Sequence, residues 1–402
     1  MVRLLLVAPT CDADDVGEAW VAYQWASRLA EEHEVTLLTY FKRGRQPAGE
    51  QLRGLRVIEW QEPPLIGRAE RLNSMLKPAY IPFYLRARRW IRRAQANGET
   101  FDIAHQVTPV ATRYPSPAAG FSFPLVVGPV GGGLQDPPGF KGEDTSPWFV
   151  GLRSLDGFRL RHDPILRRTY STASCVLGIA PYVADNLRAV PLRRFQVMGD
   201  VGLAEMPPKV ESRPTGLPLR LLFVGRLIRT KGARDAIAAL QHLQDLNLTL
   251  DIVGDGFDRG ACEDLVARLG LGDRVRFHGR LPHGEVMTRF QHADVFVFPS
   301  YREPGGTVVF EAMGASIPLI VCTGGGPGSV VDDTCGIRLD AITPRQLSED
   351  IAEAIRTLAG DPVRRHAMGL AARERLATVG LWDSKIRAAN ALYEELISLD
   401  QG

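Results

Sequence analysis

Short apolar runs rich in β-branched residues recur along this chain, each closed by glycine or a polar turn and followed by a stretch whose apolar residues stand three and four apart. The runs are Leu4–Val7, Val35–Leu38, Leu125–Val127, Leu221–Val224, Leu248–Val253, Val295–Phe298 and Leu319–Val321. Runs this short and this uniformly apolar read as strands buried on both faces, as in parallel sheets. The intervening stretches, such as AWVAYQWASRLA, ARDAIAALQHL and GACEDLVARLG, carry the helical period. Such an alternation implies an α/β protein.

The alternation runs twice. AEMPPKVESRPTGLPLR, residues 204–220, carries four prolines and no period, and directly after it LLFVG restarts the pattern seen at the amino end. The expected organisation is a doubly wound, Rossmann-like domain over 1–203, a linker over 204–220, a second such domain over 221–378, and a closing helix over 379–402 that packs back on the first. Ligands of doubly wound sheets bind at the carboxyl ends of the strands, so a cleft between the two domains is the expected active site.

Composition narrows the function classes. Lys and Arg number 48 against 46 Asp and Glu, a net charge of +2, which excludes a dedicated nucleic-acid binder. The five cysteines show neither CxxC nor a Cys/His ligand spacing, so they read as reduced, buried thiols and no metal cluster is implied. MVRLLLVAPT is too short an apolar run for a signal sequence or a membrane span, and it reads as a first strand of a cytoplasmic protein.

The most informative stretch is FPSYREPGGTVVFEAMGASIP, residues 298–318, with Glu303 and Glu311 eight residues apart. Phe298 to Ser300 end a buried strand, Gly305 and Gly306 let backbone amides approach a ligand, and Thr307 opens a helix whose amino terminus attracts anions. A phosphate fits there, and Glu311, one turn into the helix, is placed to accept hydrogen bonds from sugar or ribose hydroxyls. The plainer alternative is two surface carboxylates beside a turn. Against it, Glu311 lies inside the apolar run VVFEAMGA, where a charge on a buried helix needs a partner.

In FVGRLIRTKGARDAIAAL, residues 223–240, a strand ends at Gly225, and Arg226 and Lys231 follow before a helix. Two cations at a strand end are placed to neutralise a departing diphosphate, preorganised charge of the kind that lowers a barrier. The alternative is two solvated residues in a connecting loop. The turns IVGDGFDRG and RFHGRLPHGE border the place of a nucleotide base, although such turns close most strands and Asp255 reads as structural. In the first half, FDIAHQVTPV puts His105 after a short apolar strand, and PLVVGPVGGG puts Gly131, Gly132 and Gly133 after another, as a cleft loop. His105 reads equally as a substrate-facing donor or base and as a packed core residue. The triple glycine is not GxGxxG, which counts against a nicotinamide site.

Taken together these stretches resemble the retaining glycosyltransferase family four over nearly the whole chain. The resemblance rests on FVGRL with KG, VGDG, FHGRL, ADVFVFPS, EPGGTVVFEAMG and TGGGPGSVV in the second half, and on GEAWVAYQWASRLAEEHEVTLLT, FDIAHQVT and GPVGGG in the first. It implies the GT-B architecture of two facing Rossmann-like domains. It also implies transfer of a sugar from a nucleoside-diphosphate donor with retention at the anomeric carbon, with no metal and no cofactor. By the same resemblance Arg226 and Lys231 hold the donor diphosphate, Glu303 lies near the donor sugar hydroxyls and Glu311 on the ribose. The amides of Gly305, Gly306 and Thr307 contact sugar and phosphates, Arg280 and Leu281 the base, Gly17 and Glu18 the donor from the amino-terminal loop, and His105 the reacting sugar. No side chain stands as a nucleophile, in keeping with the family's same-face mechanism, in which the leaving phosphate oxygen helps deprotonate the acceptor hydroxyl. The chain departs from the family pattern in three places. Pro304, Gly305 and Gly306 replace Gly-Phe-Gly, Ser316 replaces a glycine, and Gly17 stands alone where glycines are often paired.

Residues 71–98 hold seven basic side chains and no acid, interleaved with Tyr80, Phe83, Tyr84 and Trp90. An interfacial patch and a solvated basic helix with an aromatic inner face share that pattern. The expected partners are a nucleotide sugar, a sugar, lipid or lipid-linked acceptor, and, through this segment, the inner face of a membrane. The expected acceptor is an envelope glycan or glycolipid, with a small-molecule natural product as the alternative. Two rivals keep the architecture. A nucleotide-sugar epimerase is opposed by EPGGTVVFE, and a non-catalytic nucleotide-sugar-binding subunit by the intact Arg226, Lys231, Glu303 and Glu311.

Overall fold

The computed structural model describes residues 1–42, 44–63, 77–143, 155–208 and 218–401, so 209–217 of the expected linker and 71–76 of the basic segment lie outside the described residues. The described chain forms two units. The first holds residues 1–133, those from 155 to Asp200, and Lys385 onwards, and the second holds 134–143 and the residues from Val201 to Ser384.

In the first unit, β1 (Arg3–Thr10), β2 (Glu34–Phe41), β3 (Arg56–Gln61), β4 (Ile103–Gln106), β5 (Leu125–Val130), β6 (Cys175–Gly178) and β7 (Phe195–Val197) form a seven-stranded sheet in the order β3-β2-β1-β4-β5-β6-β7. All its pairings are parallel. Leu4, Leu5, Leu6 and Val7 are completely buried, as a central strand covered on both faces requires. The helix Glu18–Leu29 buries Ala22, Trp25, Ala26 and Leu29, the face its three-and-four spacing predicts. From the last helix, Trp382–Gln401, this unit receives Ile386, Ala389, Leu392 and Tyr393, again one apolar face.

In the second unit, β8 (Leu219–Val224), β9 (Leu248–Val253), β10 (Val275–Gly279), β11 (Val295–Phe298), β12 (Leu319–Cys322) and β13 (Gly336–Leu339) form a six-stranded sheet, β10-β9-β8-β11-β12-β13. It too is parallel throughout. Chain order reverses between β8 and β11, the switch point where loops diverge and ligands of such sheets bind. The loops that follow these two strands carry Arg226 with Lys231 and Glu303 with Gly306.

The boundaries differ from expectation in three places: residues 201–203 and 379–384 fall in the second unit, and the largest difference is an internal segment. Residues 134–143 fall inside the expected first domain of 1–203, yet they belong to the second unit. Phe140 is the reason: it is completely buried in the second core, its ring 4.3 Å from that of Tyr301. Asp136 receives Arg302 at 2.8 Å and Glu143 pairs with Arg229, so the segment is tied down by charge as well as by apolar contact.

Candidate functional site

The site is built on the two switch-point loops. After β8, residues Arg229–Lys231 make a single 3₁₀ turn that ends at Gly232, and Gly232 then opens the helix Ala233–Ala239. Gly232 has φ +80°, and a side chain there would meet the Pro299 carbonyl, so only glycine lets this loop lie against the end of β11. Ser300 Oγ donates to the Thr230 carbonyl at 2.9 Å and holds the two loops together. The result is an ion pair between Lys231 Nζ and Glu303 Oε2, both side chains nearly buried. Burial, with the neighbouring cations Arg226 and Arg302, pushes the Lys231 ammonium down to about 8, while the carboxylate it touches opposes that shift.

The second loop continues through Gly305 and Gly306 into the helix Thr307–Gly314. Its backbone lies against the glycine-rich turn after β12. Gly326 N donates to the Glu303 carbonyl at 2.9 Å, and Gly325 has φ +81° with that carbonyl filling the place of its missing Cβ. TGGGPG is thus a backing for the Glu303 loop. Glu311, in the same helix, finds the partner its burial demands: Nε2 of His283 stands 3.2 Å from its Oε1. Arg226 projects exposed from the end of β8, and Arg280, after β10, is exposed as well, while Leu281 packs on the core.

Asp255 closes the turn after β9. Its carboxylate accepts from the Gly256 amide at 2.8 Å, and its carbonyl accepts from Leu227 N at 3.1 Å. The group that sequence reasoning passed over is Arg229, two residues before Lys231. It is almost fully buried, bonds Asp235 through both terminal nitrogens at 2.5 and 3.0 Å, and lies over the rings of Phe140 and Tyr301. The readable signal was Asp235 at the opening of an apolar helix, a buried acid that needs a cation.

In the first unit His105 is a core residue. It has no exposure, and Trp25 packs edge-on at 5.2 Å. Burial pushes its pKa down to about 4, so the ring is neutral. Its Nε2 donates to the Gly128 carbonyl at 2.6 Å, and the Tyr393 hydroxyl donates to its Nδ1 at 2.6 Å. Both nitrogens are engaged, which corrects the substrate-facing reading of this histidine. Gly17 has φ +67° and precedes the helix of Glu18, and Glu18 pairs with Lys77. Gly131, Gly132 and Gly133 continue from β5, with Gly131 N donating to Val110 O at 2.6 Å and Asn186 holding the Gly132 carbonyl at 2.9 Å.

Family models match both halves of the chain. A glycosyl transferase 4-like domain fits residues 16–198, and the glycosyl transferases group 1 model fits residues 210–375. The chain belongs to the group 1 glycosyltransferases. A glycogen synthase of Mycobacterium tuberculosis is 34% identical over 189 residues, 46% of this chain and 45% of that enzyme. A D-inositol 3-phosphate glycosyltransferase of Corynebacterium kroppenstedtii is 31% identical over 198 residues, 46% of this chain and 43% of that one. These matches thus span less than half of either curated relative. Among solved structures, Anabaena Alr3699/HepE in complex with UDP superposes with a TM-score of 0.62 at 18% identity, over 98% of this chain and 100% of the other. That likeness shows the fold, which is GT-B.

For this glycosyltransferase the charge balance of the second unit's site is informative. At the carboxyl ends of β8 and β11, Lys231 is paired with Glu303 and Arg302 with Asp136, Arg229 is held by Glu143 and Asp235, and Arg226 stands exposed beside Lys231. An anion entering beside the helix Thr307–Gly314 would meet Arg226 and the ammonium of Lys231 together with backbone amides. Among the described residues no group of three or more His, Cys, Asp or Glu side chains is arranged to hold a metal, and no helix is long and apolar enough to cross a membrane.

Proposed function

We propose that this protein moves a sugar from a nucleoside-diphosphate donor to an acceptor hydroxyl, with retention at the anomeric carbon and without a metal ion. The observation that carries the reading is the Lys231–Glu303 pair at the switch point, flanked by Arg226 and Arg302 and facing a helix amino terminus. A diphosphate would compete with Glu303 for Lys231. Binding would then free the carboxylate to accept hydroxyls of the donor sugar, so that one ion pair is exchanged for two donor contacts. Gly305, Gly306 and Thr307 offer amides to the phosphate and sugar, Glu311 takes the ribose hydroxyls, and Arg280 with Leu281 border the base.

As the glycosidic bond breaks, negative charge grows on the departing phosphate, and Arg226 with Lys231 are already in place for it. Such preorganised charge is the main source of rate acceleration open to an enzyme without a nucleophile. The leaving oxygen takes the acceptor's proton on the same face, and the new bond forms where the old one broke. Since both nitrogens of His105 are engaged in the core, no step is routed through it. We assign the acceptor hydroxyl to an envelope glycan or glycolipid, supported by the acid-free basic helix Tyr80–Ala96, whose Arg86, Arg89, Arg92 and Arg93 are exposed.

The test is a metal-free thermal-shift panel of UDP-, GDP-, ADP- and TDP-sugars, because a ligand that binds only the folded chain raises its melting temperature, by about 2.7 kcal/mol of stability at a hundred times Kd. One nucleotide class should stand out, and Lys231→Ala should abolish the shift. No shift with any donor at saturation would defeat the reading. Retention is checked by NMR of the product's anomeric proton.

A further inference from the structure

The first unit carries a second basic feature, away from any residue discussed so far as donor-binding. A cavity of ≈ 300 Å³ opens between the helix Tyr80–Ala96 and the helix Pro164–Thr172, lined by Tyr84, Arg88, Ala119, Pro164, Ile165 and Arg168. Arg88 is fixed in it. Its Nη1 donates to the carbonyls of Pro117 and Ala119 at 3.0 and 2.9 Å, and its guanidinium lies 4.9 Å over the Phe121 ring. Arg168 lies flat against Gly120, where an added Cβ would strike its guanidinium.

Among the described residues no carboxylate pairs with either arginine. The second helix carries no acid of its own, and the carboxylate that caps it, Asp163, is also bonded to Arg159 at 2.8 Å. Burial, and then the charges of Arg92 and Arg168, lower the pKa of Arg88, with Tyr84 opposing. Two like charges held in one cavity without a counter-charge form a standing invitation to an anion, and guanidinium groups suit the oxygens of a phosphate.

The rim says which phosphate. Ile81, Leu85, Arg88 and Arg92 fall on one helical stripe by their four- and three-residue spacing. Ile81 and Leu85 are 69% and 44% exposed, and Ile165 on the facing helix is 51% exposed. Apolar side chains offered to solvent beside a basic cavity suit a membrane surface, with acyl boundary against the apolar rim and headgroups against the arginines.

We propose that the Arg88–Arg168 cavity seats the phosphate of an anionic phospholipid headgroup and holds this protein at a lipid surface. The inference deepens the acceptor reading above, yet it concerns binding alone. Its test therefore reads lipid binding without sugar transfer, so this proposal and the transfer reading can each fail while the other stands.

The full chain is sedimented with phosphatidylcholine vesicles containing or lacking phosphatidylglycerol. The wild type should bind only the anionic vesicles. Arg89→Gln, which removes an exposed charge outside the cavity, should weaken binding about fivefold, the diffuse effect of one basic residue near a charged surface. Arg168→Gln should weaken it by about tenfold or more, and Arg168→Lys should recover part of the loss. Circular dichroism of each variant checks folding, and Ile165→Ser, which leaves every charge in place, should also weaken binding. Equal losses from Arg89→Gln and Arg168→Gln would replace a seated headgroup by a diffuse patch and overturn the proposal. So would absence of binding to anionic vesicles, or a melting-temperature rise with inorganic phosphate unaccompanied by vesicle binding, which would mark a free-phosphate site.

Discussion

His105 and Lys231 make an instructive pair. Each lies near the centre of a parallel doubly wound sheet, and each reads in the sequence as a polar residue at a strand's end. In the structure His105 is inside β4, in register with Leu6 on one side and Val126 on the other, and it is sealed by Trp25 and Tyr393. Lys231 lies past the end of β8, in a loop that must pass the end of β11. Within a central strand every side chain meets a covering helix, so a polar group can only be satisfied and buried. A few residues further on, the sheet no longer covers it and the same kind of group is presented. Function in these sheets begins where pairing ends.

The strongest way to break that comparison is Arg229. It shares a loop with Lys231 and yet is buried like His105, so it should support the site without serving it. Arg229→Ala leaves Asp235 buried without its cation and should cost about 3–5 kcal/mol, read in urea melts. Lysine cannot reproduce the two-pronged contact, so Arg229→Lys should recover only a part. A loss below about 1 kcal/mol would show that the 134–143 segment and its Glu143 do not depend on this group, contrary to the packing described.

Lys231 should behave in the opposite way. Lys231→Ala should cut kcat/KM roughly a hundredfold or more while the chain stays folded. pH gives a second handle on the same group. kcat/KM reports the free enzyme, so with Lys231 lowered to about 8 it should fall tenfold per unit above that pH, well before an ordinary lysine would lose its proton. The unfolded chain binds that proton up to a higher pH than the folded one, so this group's contribution makes stability rise with pH above about 8 as activity falls. A kcat/KM flat to pH 10 would remove Lys231 from the charge-stabilising role.

Tyr393→Phe sharpens the other half. It deprives His105 Nδ1 of its donor without changing the shape of the core, and should cost about 1–3 kcal/mol of stability with transfer per folded molecule unchanged. A large fall in kcat at unchanged melting temperature would return His105 to the chemistry.

Much of this was legible in the residues. All seven apolar runs lie within strands, because full burial on both faces leaves a signature that needs no context. β3, RVIEWQ, and β10, VRFHG, close the edges of their sheets and mix charge with apolar residues, so no uniform run marks them. Glu303, Glu311, Arg226 and Lys231 stood out because charges beside buried strands need a reason. Arg229 did not, since its partners Glu143 and Asp235 lie 86 residues before it and six after, and only tertiary packing brings them together. The ownership of residues 134–143 was hidden for the same reason. LQDPPGF reads as a loop until Phe140 is seen in the second core.

The smallest expected effect tests whether strain near the site belongs to its chemistry. Ser316 has φ +57°, a left-handed backbone, in the turn from the helix Thr307–Gly314 to β12, and its Oγ is buried with no hydrogen-bond partner among the described residues. A left-handed non-glycine residue costs about 1–2 kcal/mol, and glycine returns part of that gain through its freer unfolded chain. Ser316→Gly should therefore stabilise the protein by about 0.5–1 kcal/mol, a rise of roughly 1–4 °C in melting temperature for a domain of this size. If the strain is only the geometry of a turn, kcat/KM will not move. If kcat/KM falls as stability rises, the left-handed turn is holding the helix that carries Glu311 in a working position, and the presented half of the comparison extends one element beyond the switch-point loops.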